Sequence, residues 1–442
     1  MSFARLGRAT AMAASFFMLT GAFGLVQADE RAVEYASLAE RPQLFGDWRG
    51  ARTRLAERGI IVDLQTTHFY QGITSGGTAD ARGEWQYGGV GDAYVTVVGD
   101  KFGWRGFLFS LHAETRFGES VNPFSGLAPP NIRLLFPPGD APKVAVTNYT
   151  FVQQIGGGWA VSAGKFNIGD LWNQVYDTGL GVDKFMNASL VLPLADGRPI
   201  SGYSIPGAAI LKTRGAEIEG ALAVIDTKDY SYKFGVEDLF DQGATVVGLW
   251  KFFHEVRGLP GYTSIVGMYN TREFTSIDPA SLIIIPGQGI SLGEVRGSWA
   301  INGILSQKLW VDEMNPKHNV ELFGQLSIAD DNPNPIHWGG SVTLVASGVI
   351  PSRENDSFGI GYFYTGLSDK FKELVGPALS LAASQGVDPN LINLQDLQGV
   401  EAYYKFGLTP WLALTADLQV IQPSVESLDT EVIAGVRTKV TF

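Results

Sequence analysis

From about Gly106 to Phe442 the chain repeatedly alternates apolar and polar residues at period two, in runs of roughly ten residues bounded by turn formers, as strands with one dry and one wet face do. Four runs carry the pattern most cleanly. Over Gly106 to Glu114, Phe107, Phe109, Leu111 and Ala113 interleave with Ser110, His112 and Glu114. Over Asn319 to Ile328, Val320, Leu322, Leu326 and Ile328 interleave with Glu321, Gln325 and Ser327. From Trp411 to Ile421, Leu412, Leu414, Ala416, Leu418 and Val420 face Thr415, Asp417 and Gln419. At the chain end, Val432, Ala434, Val436, Thr438, Val440 and Phe442 alternate with Glu431, Arg437, Lys439 and Thr441. After the first 28 residues no window offers the roughly 20 consecutive apolar residues that a membrane-spanning helix requires. Strands that cross a bilayer satisfy their backbone groups only by closing into a barrel.

The chain starts with Arg5 and Arg8, an apolar run from about Ala9 to Val26, and small residues with Val26 at −3 and Ala28 at −1. This is the layout of a secretory signal peptide, expected over residues 1–28. Cleavage would leave 442 − 28 = 414 residues from Asp29, divided into an N-terminal segment (29–60) and a barrel (61–442). Cysteine is absent, which rules out disulfides and thiolate metal sites. A net charge of −12 argues against nucleic acid as a partner, because phosphate binding wants a basic surface. The 54 glycines and 18% charged residues suit many short strands and turns.

Weaker strands are expected near Val62 to Gln71, Asp92 to Gly99, Thr147 to Ile155, Trp159 to Phe166, Ala216 to Val224 and Ser231 to Val236. Others fall near Thr245 to Phe253, Tyr262 to Tyr269, Ser298 to Ser306, Trp338 to Ser347, Ser357 to Thr365 and Val400 to Gly407. With the four clear runs these make an all-β antiparallel barrel of about sixteen strands, an even number as in bacterial outer-membrane barrels. The long gaps, Gly72 to Gly91, Thr115 to Val146, Asn167 to Gly215, Asn270 to Gly297 and Gly366 to Gly399, are all odd-numbered connections. Even ones such as Ile155 to Gly158 and Leu408 to Pro410 are mostly short, the asymmetry of a barrel with long outer loops and short periplasmic turns. Asp47 to Arg58 reads as a short amphipathic helix ended by Gly59. Ser368 to Ala383 reads as a second, broken at Gly376-Pro377.

The segment LFGDWRGARTRLAERGI (Leu44 to Ile60), directly before the first strand, resembles the entry motif of the carbohydrate-selective porin family (OprB-type). LTPWLALTADLQVIQPS (Leu408 to Ser424) with the last strand resembles its end, and GKFN (Gly164 to Asn167) and FMNASL (Phe185 to Leu190) resemble two further landmarks. Arg49 departs from the pattern, where the family more often has glycine, as does the proline-rich stretch around Pro129, Pro130, Pro137 and Pro138. The resemblance implies a sixteen-stranded outer-membrane barrel that passes sugars by diffusion, needs no cofactor and sits among outer-membrane lipid and lipopolysaccharide. It also implies that the closing strand, ending on Phe442, is read by the barrel-assembly machinery.

A sugar channel needs groups that replace hydration and aromatic faces for the ring. The longest connection, Asn167 to Gly215, holds Asp170, Trp172, Asn173, Tyr176, Asp177, Asp183, Lys184 and Arg198, and is expected to fold inward with Asp170, Trp172 and Asn173 near the narrowest point. On the wall, His112, Glu114, Glu217, Glu219, Glu321, Gln325, Asp417, Gln419, Arg437 and Lys439 fall on the polar phase and are expected to face water. Of these, His112, Glu114, Glu217, Glu219 and Arg437 join the loop residues as candidate pore-lining groups. The five histidines show no metal-ligand spacing, and no G-x-S-x-G or phosphate-binding loop occurs. Asp330, Asp331, Asn332 and Asn334 lack the full calcium-loop pattern and read as a turn. Two alternatives stay open at this point: a porin for other small solutes, including anionic ones, and an outer-membrane barrel that is an enzyme or a plugged structural element.

Overall fold

A computed structural model describes residues 37–78, 82–125, 127–140, 142–285, 289–375 and 393–442. The expected leader lies outside them. The first strands are β1 (Ile60–Gly77), β2 (Trp85–Val98), β3 (Phe107–Gly118), β4 (Val144–Gly156), β5 (Trp159–Asn167) and β6 (Ser204–Arg214). Next come β7 (Glu217–Ile225), β8 (Thr245–Val256), β9 (Leu259–Thr275), β10 (Leu282–Ile285), β11 (Gly289–Leu292) and β12 (Glu294–Val311). The last are β13 (Asn319–Ala329), β14 (Ile336–Ser347), β15 (Ser357–Leu367), β16 (Leu397–Thr409), β17 (Leu412–Gln422) and β18 (Asp429–Thr441). Among the described residues β10 and β11 form a separate hairpin, and the other sixteen strands close into one antiparallel barrel sealed by β1 against β18.

The strand count agrees with the sequence reading through two offsetting differences. Ser231 to Val236 is not a strand. Its loop lies across the outer wall, where the Lys165 ammonium donates to the Tyr230 and Lys233 carbonyls and Phe234 stacks on Tyr149. The strand that replaces it, β6, lies inside the expected long loop. Its start, Ser-Ile-Pro-Gly, hides the alternation because Pro206 and Gly207 offer no polar or apolar phase. The parity of connections is unchanged, and the even ones are mostly short, four of them being two-residue turns. Arg257 (φ 54°) and Gly258 (φ 77°) close β8 to β9 as a type I′ turn suited to twisted strands.

Side chains are inverted relative to a soluble protein. On β13, Leu326 and Ile328 point outward at 61% and 45% exposure, while Gln325 and Ser327 point inward at 6% and 3%. Apolar groups toward lipid and polar groups toward the lumen are what a barrel in a bilayer requires.

At the short-turn end the N-terminal segment clasps the last strand. The Leu44 amide donates to the Thr441 carbonyl (2.9 Å), Arg52 to the Phe442 carbonyl (2.7 Å) and the Trp411 indole to the Leu38 carbonyl (2.9 Å). Phe45 stacks on Phe442 with ring centroids 5.2 Å apart. The helix here is shorter than expected, Ala51–Glu57, because Trp48, Arg49 and Gly50 take positive φ (49°, 59° and 82°). Arg49 thus holds a left-handed conformation that glycine would adopt at less cost. The Asp47 carboxylate still accepts from the Thr53 amide (2.7 Å). Of the second expected helix, residues 369–375 are helical, and its remainder, with Gly376-Pro377, lies outside the described residues.

Candidate functional site

The lumen is occupied by two long connections, 119–143 and 168–203. The second starts with a helix, Ile168–Tyr176, for which Asn167 is the N-cap, its side-chain oxygen accepting from the Asp170 amide (3.1 Å). The Asn167 amide group reaches Glu114 (3.1 Å), Thr147 (3.0 Å) and Tyr203 (2.9 Å), so the helix start is fixed to the wall.

From there the segment crosses the interior and bonds around most of its circumference. Tyr176 pairs with Ser264 on β9 (2.9 Å), and Lys251 on β8 donates to the Val175 carbonyl (2.5 Å). Asn302 on β12 donates to Asp196 (2.9 Å), and Gln325 on β13 to the Ser189 carbonyl (3.1 Å). Glu401 on β16 accepts from the Met186 and Asn187 amides (2.6 and 2.8 Å), and the Asn187 side chain donates to Gln419 on β17 (3.1 Å). Arg437 on β18 donates to the Gly181 and Lys184 carbonyls (3.0 and 2.8 Å). Against β15 only glycine fits: a Cβ at Gly361 would lie 3.0 Å from Leu190, and one at Gly359 3.0 Å from Phe185 and 2.8 Å from Tyr403.

Connection 119–143 also folds inward, which the sequence did not reveal. The Ile132 amide donates to the Met186 carbonyl and the Ala188 amide to the Pro129 carbonyl (2.9 Å each), joining the two connections. Asn131 donates to Gln71 on β1 (2.7 Å). Arg133, 2% exposed, donates to Asp92 and Glu114 (2.5 Å each). His112 stands between Asp92 (3.0 Å) and Asp170 (2.7 Å), with Tyr94 stacked on its ring at 4.0 Å. Three carboxylates therefore share one guanidinium and one imidazole. Asp92, His112 and Glu114 bring their ligand atoms within 4.8 Å of one another, as a metal site would. The cation already there is Arg133, and a divalent ion would have to displace it.

The expected site residues divide accordingly. Asp170, Trp172 and Asn173 lie together on the inward helix, each partly exposed. His112, Glu114 and Arg437 are on the inner face as expected, but they do not meet water: each is 1% exposed because the inward connections cover it. Asp417 (6%), Gln419 (0%) and Gln325 (6%) are covered for the same reason. The phase also breaks at β7. Lys212 pairs with Gly220 and Thr213 with Ile218, so Glu219 is the extra residue of a bulge and Ile218 turns into an apolar cluster with Val98 and Leu108. Glu217 is left at the short-turn rim, its side chain 56% exposed and 3.7 Å from Lys251. Glu321 pairs with Lys308 (2.9 Å) and Lys439 with Asp183 (2.7 Å). In the Asp330 cluster, Asp330 accepts from Ser298 (3.0 Å) and Trp299 (3.1 Å) on the neighbouring strand, and Asn334 donates to the Ala195 carbonyl of the crossing segment (2.6 Å).

Beneath the crossing segment, toward the short turns, lies a chamber of about 250 Å³ lined by Asn173, Asp177, Gly179, Asp183, Lys184, Ser347, Ser357, Tyr403 and Lys405. Burial would push the Asp183 carboxyl up, but Lys439 and Lys405 outweigh it and hold the group well below the ordinary carboxylate range. Asp196, at the other end of the segment, goes the opposite way: burial raises it to about 7 against the one opposing hydrogen bond from Asn302. Sequence reasoning missed Asp92, Asn131, Arg133 and Glu401. The available signal was a lone arginine among apolar residues and prolines (Asn-Ile-Arg-Leu-Leu-Phe-Pro-Pro), a charge that needs a buried partner once its neighbours are buried.

A sequence profile described as carbohydrate-selective porin, OprB family, matches residues 99–442. Porin B of Pseudomonas aeruginosa is 25% identical over 156 residues, 34% of this chain and 34% of that protein. The match thus spans about a third of this curated relative. The high-pH structure of Pseudomonas putida OprB superposes with a TM-score of 0.78 at 19% identity, covering 92% of this chain and 100% of that one. The low-pH structure gives 0.55 at 16% identity, covering 91% and 99%. At these identities the structures attest the fold.

Proposed function

Because the chain belongs to the carbohydrate-selective porin family, OprB, we propose that it is a passive outer-membrane channel for mono- and small oligosaccharides whose size limit is set by segment 168–203. The observation that carries this reading is the crossing of the lumen by that segment, bonded to β8, β9, β12, β13, β16, β17 and β18. A sixteen-stranded barrel encloses a lumen wide enough to leak unless something occupies it. Trp172 supplies an aromatic face, and Asp170 and Asn173 supply hydrogen-bonding groups beside it. His112, Glu114 and Arg437 act one layer back, as the wall's grip on the inward connections.

The long connections face outside and the short turns face the periplasm, residues 1–28 being removed on export. The Phe442 strand is the assembly signal, and the apolar belt meets lipid and lipopolysaccharide. The reading involves no catalysis. His112, the one buried histidine among the described residues, has a carboxylate on each ring nitrogen, so no lone pair is left to act as a general base.

Replacing residues 170–200 with a short Gly/Ser linker tests the role of the segment. Single-channel conductance should rise, and liposome swelling should lose its discrimination among neutral sugars of different size. A folded variant with unchanged conductance and unchanged relative permeation would move the constriction to connection 119–143.

A further inference from the structure

The chamber beneath the crossing segment is more cationic than a passage for neutral sugars needs. Lys405 and Lys439 share one carboxylate, Asp183, at 4.0 and 2.7 Å. Lys405 makes no hydrogen bond among the described residues, so its three donors are uncommitted. Arg437, directly behind, forms no ion pair among the described residues and is held by the Gly181 and Lys184 carbonyls and the Thr415 hydroxyl. Lys184 is matched by Asp177 at 2.9 Å. The other nearby carboxylates are turned elsewhere, Glu401 to the Met186 and Asn187 amides and Asp417 to Gln419. Three cations thus surround one carboxylate, and the hydroxyl-bearing Ser347 and Ser357 and the amide-bearing Asn173 line the same space.

We propose that this chamber is a subsite for acidic sugars, Lys405 and Lys439 receiving the carboxylate and Ser347, Ser357 and Asn173 the hydroxyls. The inference rests on reading the chain as a sugar channel. Asp183 occupies the place a ligand carboxylate takes and acts as its built-in competitor. Competition keeps residence short, which conduction requires: a site must bind well enough to admit a solute and loosely enough to release it.

The test uses single-channel recordings of the purified barrel, its folded state checked by heat-modifiable migration, with glucuronate, glucose and acetate as probes. Glucuronate should interrupt the current with an apparent affinity about tenfold or more above that of glucose, as expected for a hydrogen bond to a charged group. Lys405→Gln should bring the glucuronate-to-glucose ratio toward one, and Asp183→Asn should raise it. Equal affinities in the unaltered protein, or a ratio that ignores both variants, would overturn the proposal. So would acetate interrupting the current as well as glucuronate does, since the chamber would then capture charge without reading hydroxyls. Failure of the channel reading itself looks different: a folded barrel with no conductance and no glucose permeation.

Discussion

Replacing Arg133 with methionine removes the guanidinium from between Asp92 and Glu114 while keeping most of its apolar stem. The cluster then changes from three carboxylates (Asp92, Glu114, Asp170) against two cationic partners to three against His112 alone. Glu114 keeps only the neutral donors Asn167 (3.1 Å) and Tyr203 (3.3 Å). Removing one partner of a buried ion pair costs about 3–5 kcal/mol. The barrel cannot easily relieve that cost, since its strands are paired edge to edge. Connection 119–143 can, by leaving the lumen and admitting water to the carboxylates. A penalty of about 3 kcal/mol lowers the ratio of seated to unseated connection by about two orders of magnitude. In planar bilayers the variant should alternate between the original conductance and a higher level, and protease should nick 119–143 in barrels that remain folded. Adding Asp92→Asn and Glu114→Gln removes the stranded charges and should quiet the channel. A quiet Arg133→Met channel of unaltered conductance, indistinguishable from the triple variant, would refute the assignment of Arg133 as the anchor.

Two other outcomes follow from groups at opposite ends of the barrel. Asp196 has its carboxyl raised to about 7, so its seat favours the protonated form; the stabilisation is full below the unfolded value of about 4 and is lost as pH rises through 7. Hydrogen-exchange protection of residues 185–200 should therefore fall between pH 5 and pH 8, and the fall should vanish in Asp196→Asn; equal slopes in both proteins would remove Asp196 as the cause. Deleting Phe442 forfeits one ring stack, the main-chain bond to the Leu64 carbonyl (2.8 Å) and the Arg52 bond to its own carbonyl (2.7 Å), a loss of about a few kcal/mol. Outer-membrane yield should drop more than the thermal stability of barrels already folded, and an unchanged yield would count against the assembly role.

How much of this was legible in the sequence depends on whether a residue's surroundings are set by its own strand. Leu326 and Gln325 follow strict alternation, and their faces could be read from β13 alone. His112, Glu114 and Arg437 also obey the alternation, yet they are buried, because what covers them comes from 119–143 and 168–203, outside the strands that carry them. At β7 the single extra residue of a bulge was enough to break the alternation, turning Ile218 into an apolar cluster and leaving Glu217 at the rim. The inward course of 168–203 was inferable from its mixture of aromatic and hydrogen-bonding residues. That of 119–143 was not: Arg133 announces a partner without saying where, and Asp92 lies 41 positions away.

The clasp of the N-terminal segment on Phe442 bears on when the molecule can become whole. Leu38, Leu44, Phe45 and Arg52 emerge early in synthesis, yet each takes a partner here that lies at or after Trp411. The ring likewise shuts only when β18 reaches β1. A chain interrupted anywhere before its final residues therefore carries two raw edges and an unclaimed leading segment, and it stays recognisably unfinished to any protease in the compartment it crosses.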